Sequence, residues 1–90
     1  MQILINLFGV DVRNKQAVAL PQETLLLREV VQAVDAQEPG FFQKFLRQDL
    51  SPAEDTVVLV NGRNILSLGR WDTTIREGDE ISFMVPVAGG

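Results

Sequence analysis

The chain contains no cysteine, no histidine and no tyrosine. The first absence excludes disulfides, thiolate nucleophiles and thiolate metal sites. The second removes the usual imidazole base and the commonest metal ligand. Any chemistry must therefore draw on carboxylates, Ser/Thr hydroxyls or the chain termini. Positive charge is also short: eight Lys and Arg against twelve Asp and Glu leave a net charge of -4, and the cations nowhere gather into a stripe able to track phosphates. Nucleic acid is thus a poor partner. No apolar run approaches the roughly 20 residues that span a bilayer, and the start "MQILINLFGV" lacks the basic region of a signal peptide. A cytoplasmic protein with no membrane partner is expected.

What is present is enough apolar material for one core. Of the 90 residues 46% are hydrophobic, which suits a single small domain. "QILINLF", residues 2–8, alternates as a strand with Ile3, Ile5 and Leu7 on one face and Leu4, Asn6 and Phe8 on the other. Gly9 to Gln16 read as a turn, and "QAVAL", residues 16–20, as the returning strand of a hairpin. From Thr24, a plausible N-cap, the spacing of Leu27, Val30, Val31 and Val34 predicts a helix that stops before Pro39-Gly40. A shorter helix is expected over 41–48, with Phe42, Phe45 and Leu46 on one side. Strands follow at 56–60, closed by the Asn61-Gly62 turn pair, and at 80–85 after the Gly78-Asp79 turn. The last strand puts Ile81, Phe83 and Val85 on one face and Ser82 and Met84 on the other. This order predicts an α+β domain of the β-grasp (ubiquitin-like) type, a mixed sheet packed on one main helix, with first and last strands parallel if adjacent. Residues 1–86 would form that domain and 87–90 a flexible Gly-Gly tail.

The tail carries the most specific signal. After Pro86 come Val87, Ala88, Gly89 and Gly90, a thinning run that ends without side chains. Such a run can enter a channel closed to other residues and deliver a carboxylate into another protein's active site. A carboxylate resists nucleophiles until one oxygen becomes a good leaving group. Adenylation by a partner that holds ATP and Mg²⁺ supplies that, and a sulfur donor can then displace AMP to leave a thiocarboxylate. The carrier needs no base and no cysteine for this, in keeping with the composition. Gly-Gly alone is also an ordinary frayed end; its attachment to a core strand strengthens the functional reading.

Together the pieces "VVLVNGRNI", "TTIREGDEISF" and "FMVPVAGG", with the "LREVVQAV" helix, resemble the MoaD-type small subunits of molybdopterin synthase, within the MoaD/ThiS ubiquitin-like sulfur carriers. The resemblance covers most of the chain. It implies that Gly90 is adenylated by a ubiquitin-activating-like enzyme and sulfurated. It further implies docking on the synthase large subunit, with the tail threaded to a pterin precursor that receives sulfur for the dithiolene that binds molybdenum or tungsten. The carrier itself would bind no metal or cofactor. On the same fold, a ThiS-like carrier for thiamine, a sulfur carrier for tRNA thiolation and a ubiquitin-like protein modifier are the alternatives; a binding module with an incidental Gly-Gly is another.

Leu4, Phe8 and Met84 fall on the face opposite the expected core, where they would form an apolar docking patch. Arg63, after the turn pair, is a candidate partner contact, although exposed arginines are mostly just solvated. Asp72, Glu77, Asp79 and Glu80 lack the spacing of an oxygen-only metal cage, and Asp79 suits turn chemistry. Trp71 and the Phe41, Phe42 and Phe45 cluster read as core cover, since Lys44 and Arg47 give too little positive charge for stacking on bases.

Overall fold

A computed structural model of the chain describes residues 1–85. Strand β1 (Gln2–Phe8) alternates as its sequence dictates, with Ile3, Ile5 and Leu7 buried on one face. It pairs antiparallel with β2 (Arg13–Ala19), in a register that sets Phe8 opposite Arg13 and Gln2 opposite Ala19. The expected hairpin is present, but its second strand starts three residues earlier than its apolar pattern indicates. β2 is an edge strand whose only buried residue is Val18, so Arg13 to Gln16 join the ladder through backbone bonds without burying an apolar side chain.

The helix also begins later than expected. Thr24 is not a cap: β3 (Thr24–Leu26) pairs antiparallel with a strand fifty residues on, and helix α1 (Leu27–Gln37) follows it directly. The Leu27 N–H donates to the Thr73 carbonyl at 2.8 Å, so the pairing carries into the first helical residue. Three residues inside the helix, Glu29 Oε1 accepts from the Leu26 N–H at 2.8 Å, and its negative charge sits where the helix dipole favours it. Leu27, Val30, Val31 and Val34 are buried, which is the face the spacing predicts. Gly40 lies just past the helix end with φ +83°, a backbone that a Cβ would strain.

No helix forms over 41–48. The segment runs through successive turns, in which the Phe45 and Leu46 N–H groups both donate to the Phe42 carbonyl at 2.8 Å, and then makes an isolated antiparallel bridge from Leu46 to Pro52. Phe42, Phe45 and Leu46 are nonetheless buried, so the apolar spacing correctly marked the inward side. Strand β4 (Val57–Val60) is turned into the two-residue β5 (Arg63–Asn64) by Asn61 and Gly62, both at positive φ as a type I′ turn requires. Single 3₁₀ turns over Ile65–Ser67 and Arg70–Asp72 lead into β6 (Thr74–Arg76), the partner of β3. The Gly78 turn, φ +83°, then feeds β7 (Glu80–Met84).

The main sheet has the order β2-β1-β7-β4-β5, with β1 and β7 parallel and every other pair antiparallel. Ile5 lies opposite Ile81 and Leu7 opposite Phe83, and all four join the α1 residues and Phe42 in one core. This is the β-grasp arrangement. Its parallel centre has a positional consequence: β1 and β7 run the same way, so both end at the same edge of the sheet.

Candidate functional site

The edge where β1 and β7 end is built from a single register. Phe8 lies opposite Met84, and Met84 opposite Val57, so three half-buried apolar side chains cross the outer face in one row. One residue beyond the strand, the Val85 N–H donates to the Phe8 carbonyl at 2.9 Å, which holds the chain against β1 immediately before it continues to Pro86. Arg13, opposite Phe8 on β2, sets its guanidinium carbon 5.9 Å from the Phe8 ring centroid. That is within range of a cation–π attraction.

Between β1 and β2, the loop Gly9–Val12 is closed by the Gly9 N–H donating to the Val12 carbonyl at 2.8 Å. It is also tied to the turn segment by an ion pair, Lys44 Nζ to Asp11 Oδ2 at 2.9 Å. The hydrogen bond from Lys44, and secondarily its charge, holds the Asp11 carboxyl below its ordinary pKa. At the tip of this fastened loop Val10 is 77% exposed, and with Phe8, Arg13, Met84 and Val85 it lines a shallow depression beside the chain's exit.

The next row in from the edge is polar. Asn6 is only 4% exposed although it lies on the outer face; its Nδ2 donates to Glu80 Oε2 and, at 3.1 Å, to Ser82 Oγ. Lys15 Nζ stands 3.9 Å from the same Glu80 oxygen. The Asn6 Oδ1 finds no partner among the described residues. A buried amide held this way fixes the positions of Glu80 and Ser82 on the surface above it.

The expected patch is therefore divided. Phe8 and Met84 are neighbours, whereas Leu4 lies opposite Glu80 on the far side of the Asn6–Ser82 row. Arg63 is elsewhere: it lies on β5, opposite Val60, which in turn faces Ile81 near the start of β7. The structure does not bring it to the edge where Val85 leaves. Val87, Ala88, Gly89 and Gly90 lie outside the described residues. The acidic residues are each engaged locally. Asp79 accepts from the Arg76 N–H and from Asn61 Nδ2, Glu77 from the Gln2 N–H, and Asp72 pairs with Arg28 at 2.8 Å. Among the described residues no helix is long and apolar enough to cross a membrane.

Val10, Arg13 and Asn6 were not singled out from sequence. Val10 had a usable signal, a lone branched apolar residue between Gly9 and Asp11 in a predicted turn. Asn6 had one as well, a single amide inside "ILINLF". Arg13 had none, because its strand is invisible in the apolar pattern.

Against known proteins, the model of the ThiS family matches residues 5–90. A protein of Archaeoglobus fulgidus named "Putative sulfur carrier protein" is 27% identical over 77 residues, which covers 86% of this chain and 88% of that one. The crystal structure of SAMP1 from Haloferax volcanii is similar with a TM-score of 0.73 at 19% identity, covering 100% of both chains. The solution structure of Urm1 from Trypanosoma brucei gives 0.71 at 17%, covering 99% of this chain and 95% of that one. At such identities the two structures speak for the ubiquitin-like fold alone.

Proposed function

This chain belongs to the ThiS family of ubiquitin-like sulfur carriers, and we propose on that premise that Gly90 is the residue that carries the sulfur, for molybdopterin biosynthesis. The Gly90 carboxylate attacks the α-phosphorus of ATP held with Mg²⁺ by a ubiquitin-activating-like enzyme, and pyrophosphate leaves. Sulfide then attacks the acyl carbon, AMP leaves, and the product is a thiocarboxylate. In this reading the chain is the small subunit of a molybdopterin synthase. Val87, Ala88 and Gly89 thread into the large subunit, on which Phe8, Met84 and, further along β1, Leu4 dock. ATP and Mg²⁺ belong to the activating partner, and the carrier contributes no catalytic side chain and holds no cofactor of its own. Arg63 stands outside this docking surface.

The observation that carries the reading is the fastening of Val85 to Phe8 at the edge of the sheet. It anchors the chain five residues before Gly90, beside an apolar row suited to a partner. The motifs "VNGR", "GDE" and "PVAGG" favour the molybdopterin recipient. The test is intact mass spectrometry after incubation with the activating enzyme, ATP and a sulfide source, followed by transfer to a pterin precursor on a synthase large subunit. Exchange of one oxygen for sulfur at Gly90 and its loss to the pterin are expected. An unmodified Gly90 refutes the carrier chemistry for this residue. A sulfurated Gly90 that the large subunit does not discharge moves the recipient to thiamine, tRNA or lysine conjugation, each with its own product.

A further inference from the structure

The outer face offers Phe8 and Met84 for docking, but the most exposed apolar side chain near Val85 belongs to neither strand. Val10 is 77% exposed on a loop that the Gly9–Val12 hydrogen bond and the Asp11–Lys44 ion pair hold in one place. Scattered apolar side chains on a surface mean little. This one is continuous with Phe8, Met84 and Val85 around a single depression. On the same rim Arg13 lies over Phe8 and has no carboxylate within ion-pairing range among the described residues, although the chain as a whole is acidic. The rim is thus apolar in the middle with the Arg13 cation at one side, while Asp11, which lines the same depression, is paired with Lys44.

Chain length decides what must cover it. Gly90 stands five residues beyond Val85, and five extended residues reach at most about 18 Å. Whatever binds Gly90 in a pocket must bring its own surface to within that distance of Val85, which makes the rim one of the surfaces nearest to it. Every recipient considered above requires the same first step, activation of the carboxyl, and the occupant common to all of them is the adenylating enzyme.

We infer that the β1–β2 loop is part of the docking site for the adenylating enzyme, with Val10 entering an apolar pocket of that enzyme and Arg13 meeting a carboxylate at the pocket's edge. The inference rests on the reading that Gly90 is the activated residue. It adds two contacts from the hairpin, and it makes the loop fastened by Asp11 and Lys44 a determinant of which enzyme accepts the chain. The opposite end of the sheet, where the Gln22 carbonyl receives the Met1 amino group, is about 20 Å away along β1 and stays uncovered.

The experiment is ATP–pyrophosphate exchange by the ubiquitin-activating-like enzyme of the same cells, with the full chain as the varied substrate. Val10→Glu and Arg13→Glu are each expected to raise the KM for the carrier about tenfold, the loss typical of a well-packed or charge-paired contact, with kcat little changed. Gln22→Glu, with the same change of charge as Val10→Glu but at the uncovered end, should have no effect. Melting curves will show whether the loop variants remain folded, as their exposure leads one to expect. Parent exchange together with unchanged KM for both Val10→Glu and Arg13→Glu overturns the inference and leaves the carrier function standing. Absence of exchange with the parent chain overturns both.

Discussion

Phe83 and Met84 are neighbours in sequence on opposite faces of one strand, and their substitution separates stability from docking. Phe83 is buried between Leu7 and Val58 in the sheet register, and its ring centroid lies 4.8 Å from that of Phe42. Phe83→Ala removes that contact and leaves a cavity, at a cost of about 3–5 kcal/mol. Set against a total stability of about 5–13 kcal/mol for a chain of this length, that is about a quarter or more of what holds the fold. With an unfolding entropy of about 0.19 kcal/mol per kelvin, a loss of 4 kcal/mol lowers Tm by about 20 °C. Met84 is half-buried on the outer face, so Met84→Ala loses about 1 kcal/mol and about 5 °C. The order reverses in the exchange assay. Met84→Ala raises the carrier's KM, and Phe83→Ala, measured where it is folded, leaves KM near the parent value. Where Phe83→Ala yields too little folded protein, Phe83→Leu serves, with roughly half the stability loss. Calorimetric melting and exchange kinetics on both variants decide the matter. Equal losses of Tm refute the assignment of faces, and an unchanged KM for Met84→Ala removes the outer face from the surface that docks the adenylating enzyme.

Three further outcomes follow from individual contacts. The Asp11 carboxyl, depressed below 3.8 chiefly by the Lys44 hydrogen bond, makes its contribution to the loop above the unfolded pKa and loses it as pH falls through the lower folded value. Carbon-detected NMR should therefore place its titration below 3.8 and return it to the ordinary value in Lys44→Met; a parent titration at the ordinary value refutes the ion pair. Asn61→Ala loses the bonds from Nδ2 to Asp79 and from the Glu80 N–H to Oδ1, and it leaves alanine at φ +51°, for about 1–3 kcal/mol in urea unfolding. Asn61→Gly should restore only the backbone share. Glu29→Ala frees the Leu26 N–H at the start of α1 and should cost about 0.5–2 kcal/mol in the same assay, whereas Glu29→Gln keeps the acceptor and most of the stability.

Legibility from sequence followed burial. Where one face of an element is buried, as in β1, β7 and α1, the apolar period specified both the element and its inward residues. It failed where pairing replaces burial. Arg13 to Gln16 read as a turn because an edge strand with solvent on one side needs no apolar residue to form its ladder. Thr24 to Leu26 read as helix because "TLLL" runs into the helical pattern without a break, and only the distant Thr74–Arg76 partner pulls these residues into a strand. Over 41–48 the spacing of Phe42, Phe45 and Leu46 was right about which side chains go inward and wrong about the backbone, since a few turns present the same residues as a short helix. The candidate site divides the same way. Phe8 and Met84 were legible by alternation, while Val10 and Arg13 became visible only once the hairpin register and the Val85 anchor put them beside the exit. That Leu4 is cut off by the Asn6 row, and that Arg63 lies at the other end, are facts of register and strand order that no local pattern contains.

The parallel pairing of β1 and β7 bears directly on the proposed carboxyl chemistry, because it decides where the chain leaves the sheet. In an antiparallel pair, β7 would finish beside the start of β1, away from the hairpin loop. In the parallel pair it finishes beside Phe8, so the chain's exit, the loop with Val10 and the Arg13–Phe8 stack share one edge. On the proposed activation of Gly90, an enzyme that recognises that edge would by the same act bring Gly90 within reach of its nucleotide. Recognition and positioning then become a single event, and the orientation that an active site must otherwise enforce on a small carboxylate is supplied by the docked domain. Such a division also accounts for the row behind the edge. Asn6, buried under the outer face and bonded to Glu80 and Ser82, keeps the polar surface next to the apolar rim in one arrangement, so that an enzyme has a fixed boundary against which to fit. Asn6→Leu should leave the rim intact and free Glu80 and Ser82 to move. If that boundary matters, the variant stays folded yet discriminates less sharply between activating enzymes of the same cell in exchange assays; unaltered discrimination removes the row from the recognition surface.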